Sequence, residues 1–152
     1  MEQGNSKKRK FRNMSYCMLE PSLIESDAFR DLSGKAAMLT LIRFHQKAYK
    51  KRKDGRKRGL KDLVVTNNGE IVFTYGEGRE LGIKSTQTFQ RVLKELVEDK
   101  GFIDIAHRGN YYENEPSKYS ISGRWKHYGS SQYEKVKVPR ILPKGIGFKK
   151  QK

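Results

Sequence analysis

Apolar positions recur with a helical period in two stretches of the chain. Ala37, Met38, Leu41, Ile42, His45, Ala48 and Tyr49 follow the spacing i, i+1, i+4, i+5, i+8, which gathers them on one helical face. Ala36, Leu39 and Phe44 widen that face, and Ser33 stands where an N-cap belongs. This pattern predicts a long helix central to the core. Phe89, Val92, Leu93, Leu96 and Val97 form a second stripe, predicting a helix that runs to about Asp99. Upstream, between Tyr16 and Leu32, Ser22 and then Ser26 or Asp27 are cap candidates for two short turns, with Pro21 separating elements.

Elsewhere the pattern is that of strands and turns. Leu63–Thr66, Asn67-Asn68-Gly69 and Glu70–Phe73 read as a hairpin, because Asn-Gly supplies the positive φ of a tight turn. Phe102–Ala106 and Lys118–Ser122 read as strands on either side of a polar loop, His107–Ser117. Thr74-Tyr75-Gly76-Glu77 has capping-box spacing and starts a short helix through Leu81, weakened by Gly76 and Gly78. Gly82 ends that helix in the left-handed conformation and Ile83 plugs the core at the turn. Ser85 or Thr86 caps the long helix and Gly101 closes it. Trp125 and Tyr128 cover the core edge. The order is hairpin, short helix, tight turn, long amphipathic helix, two-stranded wing. It predicts an α+β fold, a winged helix-turn-helix built from a helical bundle and a β-hairpin wing.

Composition adds a partner class. The 152 residues suit one compact domain with a modest core. The net charge of +16 favours a polyanion, nucleic acid or an anionic surface. Residues 1–13 carry +4, 47–61 carry +8 and 135–152 carry +7; set against +16, the remainder is about −3. The body is therefore near neutral, and the excess lies in two tails and one internal segment. We expect a disordered basic tail at 1–13, a DNA-binding domain at 14–128 with a basic insert at 47–61, and a basic arm at 129–152, flexible without a partner. Solvated arms and phosphate-gripping arms are compatible readings.

The face of the second helix opposite its apolar stripe carries Gln87, Arg91, Lys94 and Glu98, flanked by Lys84, Thr88, Gln90 and Glu95. Its first half is basic and amide-bearing and its second half acidic, as expected if the first half meets an anion and the second points away. Arginine bridges guanine N7 and O6, and glutamine bridges adenine N7 and N6. An ordinary surface helix of mixed charge is the plainer alternative. In the wing, Arg108, Asn110, Tyr111, Tyr112 and Lys118 are backbone-contact candidates, though Glu113 and Glu115 argue against deep insertion and the aromatics also suit packing at the wing base. In the insert, the candidates are Lys50, Lys51, Arg52, Lys53, Arg56, Lys57 and Arg58.

Several chemistries are not indicated. Cys17 is alone, so neither an internal disulfide nor a cysteine metal cage is expected. His45, His107 and His127 are far apart, and His45 reads as a satisfied core histidine. Phosphate-loop and HExxH motifs are absent, and Gly76-Glu77-Gly78 reads as a weak helix start. Eight tyrosines do not make a nuclease without a metal-binding cluster. No apolar run reaches bilayer length. We expect no enzymatic activity, no cofactor, no metal and no membrane partner.

Tyr16–Phe44 (YCMLEPSLIESDAFRDLSGKAAMLTLIRF) resembles the start of winged-helix proteins of plasmids, prophages and integrative elements, several of them replication initiators. Asn67–Ile83 and Arg91–Ile103 are similar to the same family's hairpin, first helix and recognition helix, with Gly78 where alanine is usual. The resemblance runs from Tyr16 to about Tyr128. It implies a winged helix, DNA binding, no cofactor, and Lys84, Ser85, Thr86, Gln87, Thr88, Gln90, Arg91 and Lys94 as the residues that read DNA. The expectation is a non-enzymatic protein on double-stranded DNA, cytoplasmic and nucleoid-associated. Its recognition helix lies in the major groove, with wing and basic arms on phosphates, in replication or transcription control of a bacterial or mobile-element system. A homodimer or a replication or transcription partner is compatible with it. The alternatives are an RNA-binding or ribonucleoprotein component, and a winged helix used as a protein-docking module in a replication complex.

Overall fold

The computed structural model describes residues 17–52 and 63–138. The chain is mixed α+β. Two short helices, α1 (Pro21–Glu25) and α2 (Asp27–Arg30), lead into the long α3 (Lys35–Lys47). Pro21 occupies the first turn of α1, where its missing N–H costs nothing, and Ser26 caps α2 by accepting from the Phe29 amide. Strand β1 (Lys50–Arg52) pairs antiparallel with β2 (Leu63–Val65). Then come β3 (Ile71–Val72), α4 (Tyr75–Glu80), α5 (Thr86–Lys94), β4 (Ile103–His107) and β5 (Lys118–Ile121). The second sheet is antiparallel with order β3-β5-β4, so the strand made last runs between the other two. A 3₁₀ turn, Arg124–His127, carries Trp125 back onto the core.

The core lies between α3, α5 and the three-stranded sheet. Leu41 and Phe44 from α3 meet Ile71, Phe73, Leu96, Val97, Phe102 and Ile103, all buried. A relay of rings fixes the helices against the sheet. Tyr75 stands edge-on to Phe89 at 5.5 Å, Phe89 stacks on Phe73 at 5.5 Å, and Phe44 lies 5.2 Å from both Phe73 and Tyr119. Each such pair adds about 0.5–1.5 kcal/mol beyond its area. Together they tie α4, α5, β3, α3 and β5 into one unit.

The capping box forms as the sequence predicts: Thr74 accepts from the Glu77 amide and Glu77 accepts from the Thr74 amide. Gly82 (φ +92°) ends α4, Ile83 is buried, Ser85 caps α5 and Gly101 (φ +70°) closes it. Strands β4 and β5 also lie close to the predicted positions.

Five expectations are corrected. Leu63–Thr66 and Glu70–Phe73 do not pair with each other. The turn between them exists, with Gly69 at φ +86° and Glu70 N–H donating to Asn67 C=O at 3.0 Å, but β2 joins β1 and β3 joins β5. Asn67 explains the divergence, because its side chain accepts from Tyr49 N–H at 2.8 Å and donates to Lys47 C=O at 2.9 Å. It fastens the turn to the end of α3, while Asn68 accepts from Ile121 N–H at 2.7 Å and fastens it to β5.

Ser33 does not cap α3. Gly34 holds that position, and the Ser33 N–H and hydroxyl instead donate to Glu95 at 2.6 and 2.5 Å. Within the predicted face of α3, Met38 and Tyr49 are exposed, whereas Thr40 is buried.

The helix after Lys94 continues as a π turn, Glu95–Asp99, with Lys100 N–H bonded to Glu95 C=O at 2.9 Å. An extra residue per turn breaks the 100° wheel there. Glu95 and Glu98, expected on the solvent face, are buried.

Finally, 133–138 does not stand free of the body. Tyr133 packs edge-on to Tyr128, and Val138 joins the core margin.

Candidate nucleic-acid interface

Helix α5 presents an exposed face built from its own sequence. Thr86, Gln87, Gln90, Arg91 and Lys94 are exposed, as is Lys84 in the turn before it, and the segment Thr86–Lys94 holds no acidic residue. Val92 and Leu93 point inward. Ser85 is occupied by its cap, accepting from Thr88 N–H at 3.1 Å and donating to Thr88 Oγ1 at 2.9 Å. Both hydroxyls therefore serve the helix start, and the exposed amides and cations beyond them form the accessible surface. At 10–12 Å across, an α-helix fits a B-form major groove about 12 Å wide.

Beside this face runs a groove of about 640 Å³ between α5, the β4–β5 hairpin and the extended segment 133–138. Gln90 and Lys94 line it from the helix, Arg108 from the β4–β5 hairpin, and Lys135 and Lys137 from the C-terminal segment. One carboxylate, Glu98, also faces it. That carboxylate accepts from Val138 N–H at 2.5 Å, and Lys94 Nζ is 4.0 Å away. Four cations and one engaged carboxylate thus line the groove, and Asp99 lies 3.9 Å from one of those cations, Lys135.

The other wing candidates divide. Asn110 is committed to the wing tip, its side chain accepting from Tyr112 N–H and its carbonyl from the Glu113 and Glu115 amides. Tyr111 opens the 3₁₀ turn Tyr111–Glu113 at that tip. Lys118 is paired with Glu70 at 2.7 Å; that hydrogen bond and charge hold its ammonium above the ordinary lysine range. Its cation is already answered within the protein. Glu115, expected to repel DNA, is itself 2.9 Å from His107 Nε2.

The insert candidates lie elsewhere. Lys50 Nζ donates to Met18 C=O at 2.6 Å, and Lys50 lines a second cavity of about 340 Å³ with His45 and Trp125. It does not line the α5 groove. Lys51 and Arg52 lie on β1, opposite Val64 and Leu63. Lys53, Arg56, Lys57 and Arg58 fall outside the described residues, as do 1–16 and 139–152.

The residues missed from the sequence are Lys135 and Lys137. The only sequence signal was their place at the start of the acid-free basic run 135–152. Arg124 was missed as well, and it holds this segment in place. Its guanidinium reaches Asp104, the carbonyls of Val97 and Ile103, and the carbonyl of Glu134 at 2.9 Å.

Among the described residues, no group of three or more His, Cys, Asp or Glu side chains is placed to hold a metal ion, and no helix is long and apolar enough to cross a membrane. Comparison with protein-family models, curated proteins and solved structures finds no match for this chain.

Proposed function

We infer that the chain is a non-enzymatic, duplex-DNA-binding protein of winged helix-turn-helix type. The observation that carries this reading is the acid-free, exposed face of α5 beside a groove lined by Lys94, Arg108, Lys135 and Lys137. The element order supports it. A long helix, a short strand, two helices joined by a Gly82 turn and a hairpin, with sheet order β3-β5-β4, is the order that a winged helix requires.

In this reading α5 enters the major groove, with Gln87, Gln90 and Arg91 toward base edges and Lys84 and Lys94 toward phosphates. The wing and the basic segments add sequence-independent grip. The likeness of Tyr16–Phe44 and Arg91–Ile103 to mobile-element winged helices favours a task in replication or transcription control, on bacterial DNA in the cytoplasm.

Fluorescence anisotropy on a random duplex tests the class of function. We expect binding at roughly micromolar protein or below, weakening steeply with salt as counterions are released. Binding that is absent or indifferent to salt would refute the reading. Structured RNA serves as competitor, and displacement of duplex by a lower concentration of RNA would move the assignment to RNA.

A further inference from the structure

We propose that residues 133–138 form a phosphate-gripping strap, built onto the far end of α5, whose partner is the sugar-phosphate backbone beside the bases that α5 reads. The proposal rests on the DNA-binding reading above and extends it to a segment outside the helix and wing.

The strap is fastened by its backbone and by one ring, which leaves its lysines available. Tyr133 Oη donates to Glu98 C=O at 2.7 Å, Arg124 donates to Glu134 C=O at 2.9 Å, and Val138 N–H donates to the Glu98 carboxylate at 2.5 Å. Two of these anchors converge on one residue, Glu98, which is 8% exposed. Gly101 makes room for the ring: a Cβ there would stand 3.0 Å from Tyr133 Cε2 and 2.8 Å from Arg124 Cβ. Gly101 thus leaves the space that Tyr133 and Arg124 occupy.

What that segment delivers is charge. Lys135 and Lys137 line the groove opposite Gln90, Lys94 and Arg108, and both are exposed. Lys135 Nζ lies 3.9 Å from Asp99, a surface pair of little energetic weight. The three anchors of the strap involve neither ammonium. Placing two more cations on a groove that already carries Lys94 and Arg108 raises its positive potential, which costs the isolated fold through repulsion. A row of phosphates reverses that sign. The sequence after Val138 adds five basic residues and no acidic one in 139–152.

The test uses the full chain on duplex DNA across a salt series. Lys135→Ala/Lys137→Ala should lower affinity for all sequences alike. It should also reduce the slope of log K against log salt by about 2, one unit for each lost phosphate contact. Thermal stability should stay near wild type because both side chains are exposed. Lys35→Ala/Lys126→Ala removes the same net charge from exposed positions that do not line the groove. It should change the slope by less than half as much. A slope unchanged in the strap variant, or lowered equally in the control, overturns the strap. Failure of the wild-type protein to bind duplex at all sinks the DNA reading instead, so the two failures are distinct.

Discussion

A methyl group placed on Gly78 of α4 would stand 2.7 Å from Cδ2 of Phe89 on α5. The two helices meet at that point, and Phe89 has little room to withdraw, being stacked on Phe73 and bordered by Tyr75. Gly78 thus sets how closely the helix before the turn approaches the helix after it.

Gly78→Ala gains about 1 kcal/mol of helix propensity and loses about 1–3 kcal/mol to overpacking. We expect net destabilisation of about 1 kcal/mol in urea denaturation. Gly76→Ala meets only Thr74 Oγ1 at an ordinary 3.7 Å and should be neutral or stabilising. Adding Phe89→Leu to Gly78→Ala should cost less than the two single losses combined. Equal effects at the two glycines would contradict this account of the helix contact.

The pair Ser33 and Glu95 links the entrance of α3 to the exit of α5. Glu95 is 7% exposed and accepts from both the amide and the hydroxyl of Ser33. Glu95→Ala removes two hydrogen bonds and should cost about 2 kcal/mol, whereas Ser33→Ala keeps the amide bond and should cost about 1 kcal/mol. Chemical denaturation resolves these values. A Glu95→Ala protein as stable as wild type would show the contact to be incidental.

His45 is 8% exposed, and neither ring nitrogen has a hydrogen-bond partner among the described residues, so it is a core histidine but not a satisfied one. Burial first, and the Lys50 charge second, hold its imidazole down at about 4. In the unfolded chain it takes up a proton near pH 6.5, so between about pH 6.5 and 4 the unfolded state binds more protons. Its contribution to stability is full above the unfolded value and is lost as pH falls through that window, by up to about 3 kcal/mol. His45→Leu should flatten stability against pH over the same range. Parallel profiles for wild type and variant would argue against a buried neutral imidazole.

What could be read from the sequence was local. The Thr74–Glu77 box, the Gly82 and Gly101 terminations, the Ser85 cap and the wing strands depend on residues within a few positions of each other. What was missed depended on distant partners. The Asn-Gly turn is real, but Asn67 ties it to α3 and Asn68 ties it to β5, so its flanking strands separate. Glu95 and Glu98 looked like solvent-facing acids because a 3.6-residue period was carried through a π turn. Lys118 looked like a free cation because Glu70 is 48 positions away. In the candidate site, the exposed residues of α5 were legible from period alone. Lys135 and Lys137 were not, because Arg124 and Glu98 bring them there.

In the proposed function, the exposed face of α5 chooses the DNA sequence. Selection from a random duplex pool, run in parallel with wild type and Arg91→Ala, tests it most directly. We predict a defined motif for wild type and, for the variant, relaxed preference at one position of that motif. The discrimination lost there should be about 1–3 kcal/mol. An identical motif from both proteins, or a pool that gains no motif with wild type, would contradict the assignment of α5 as the reading element.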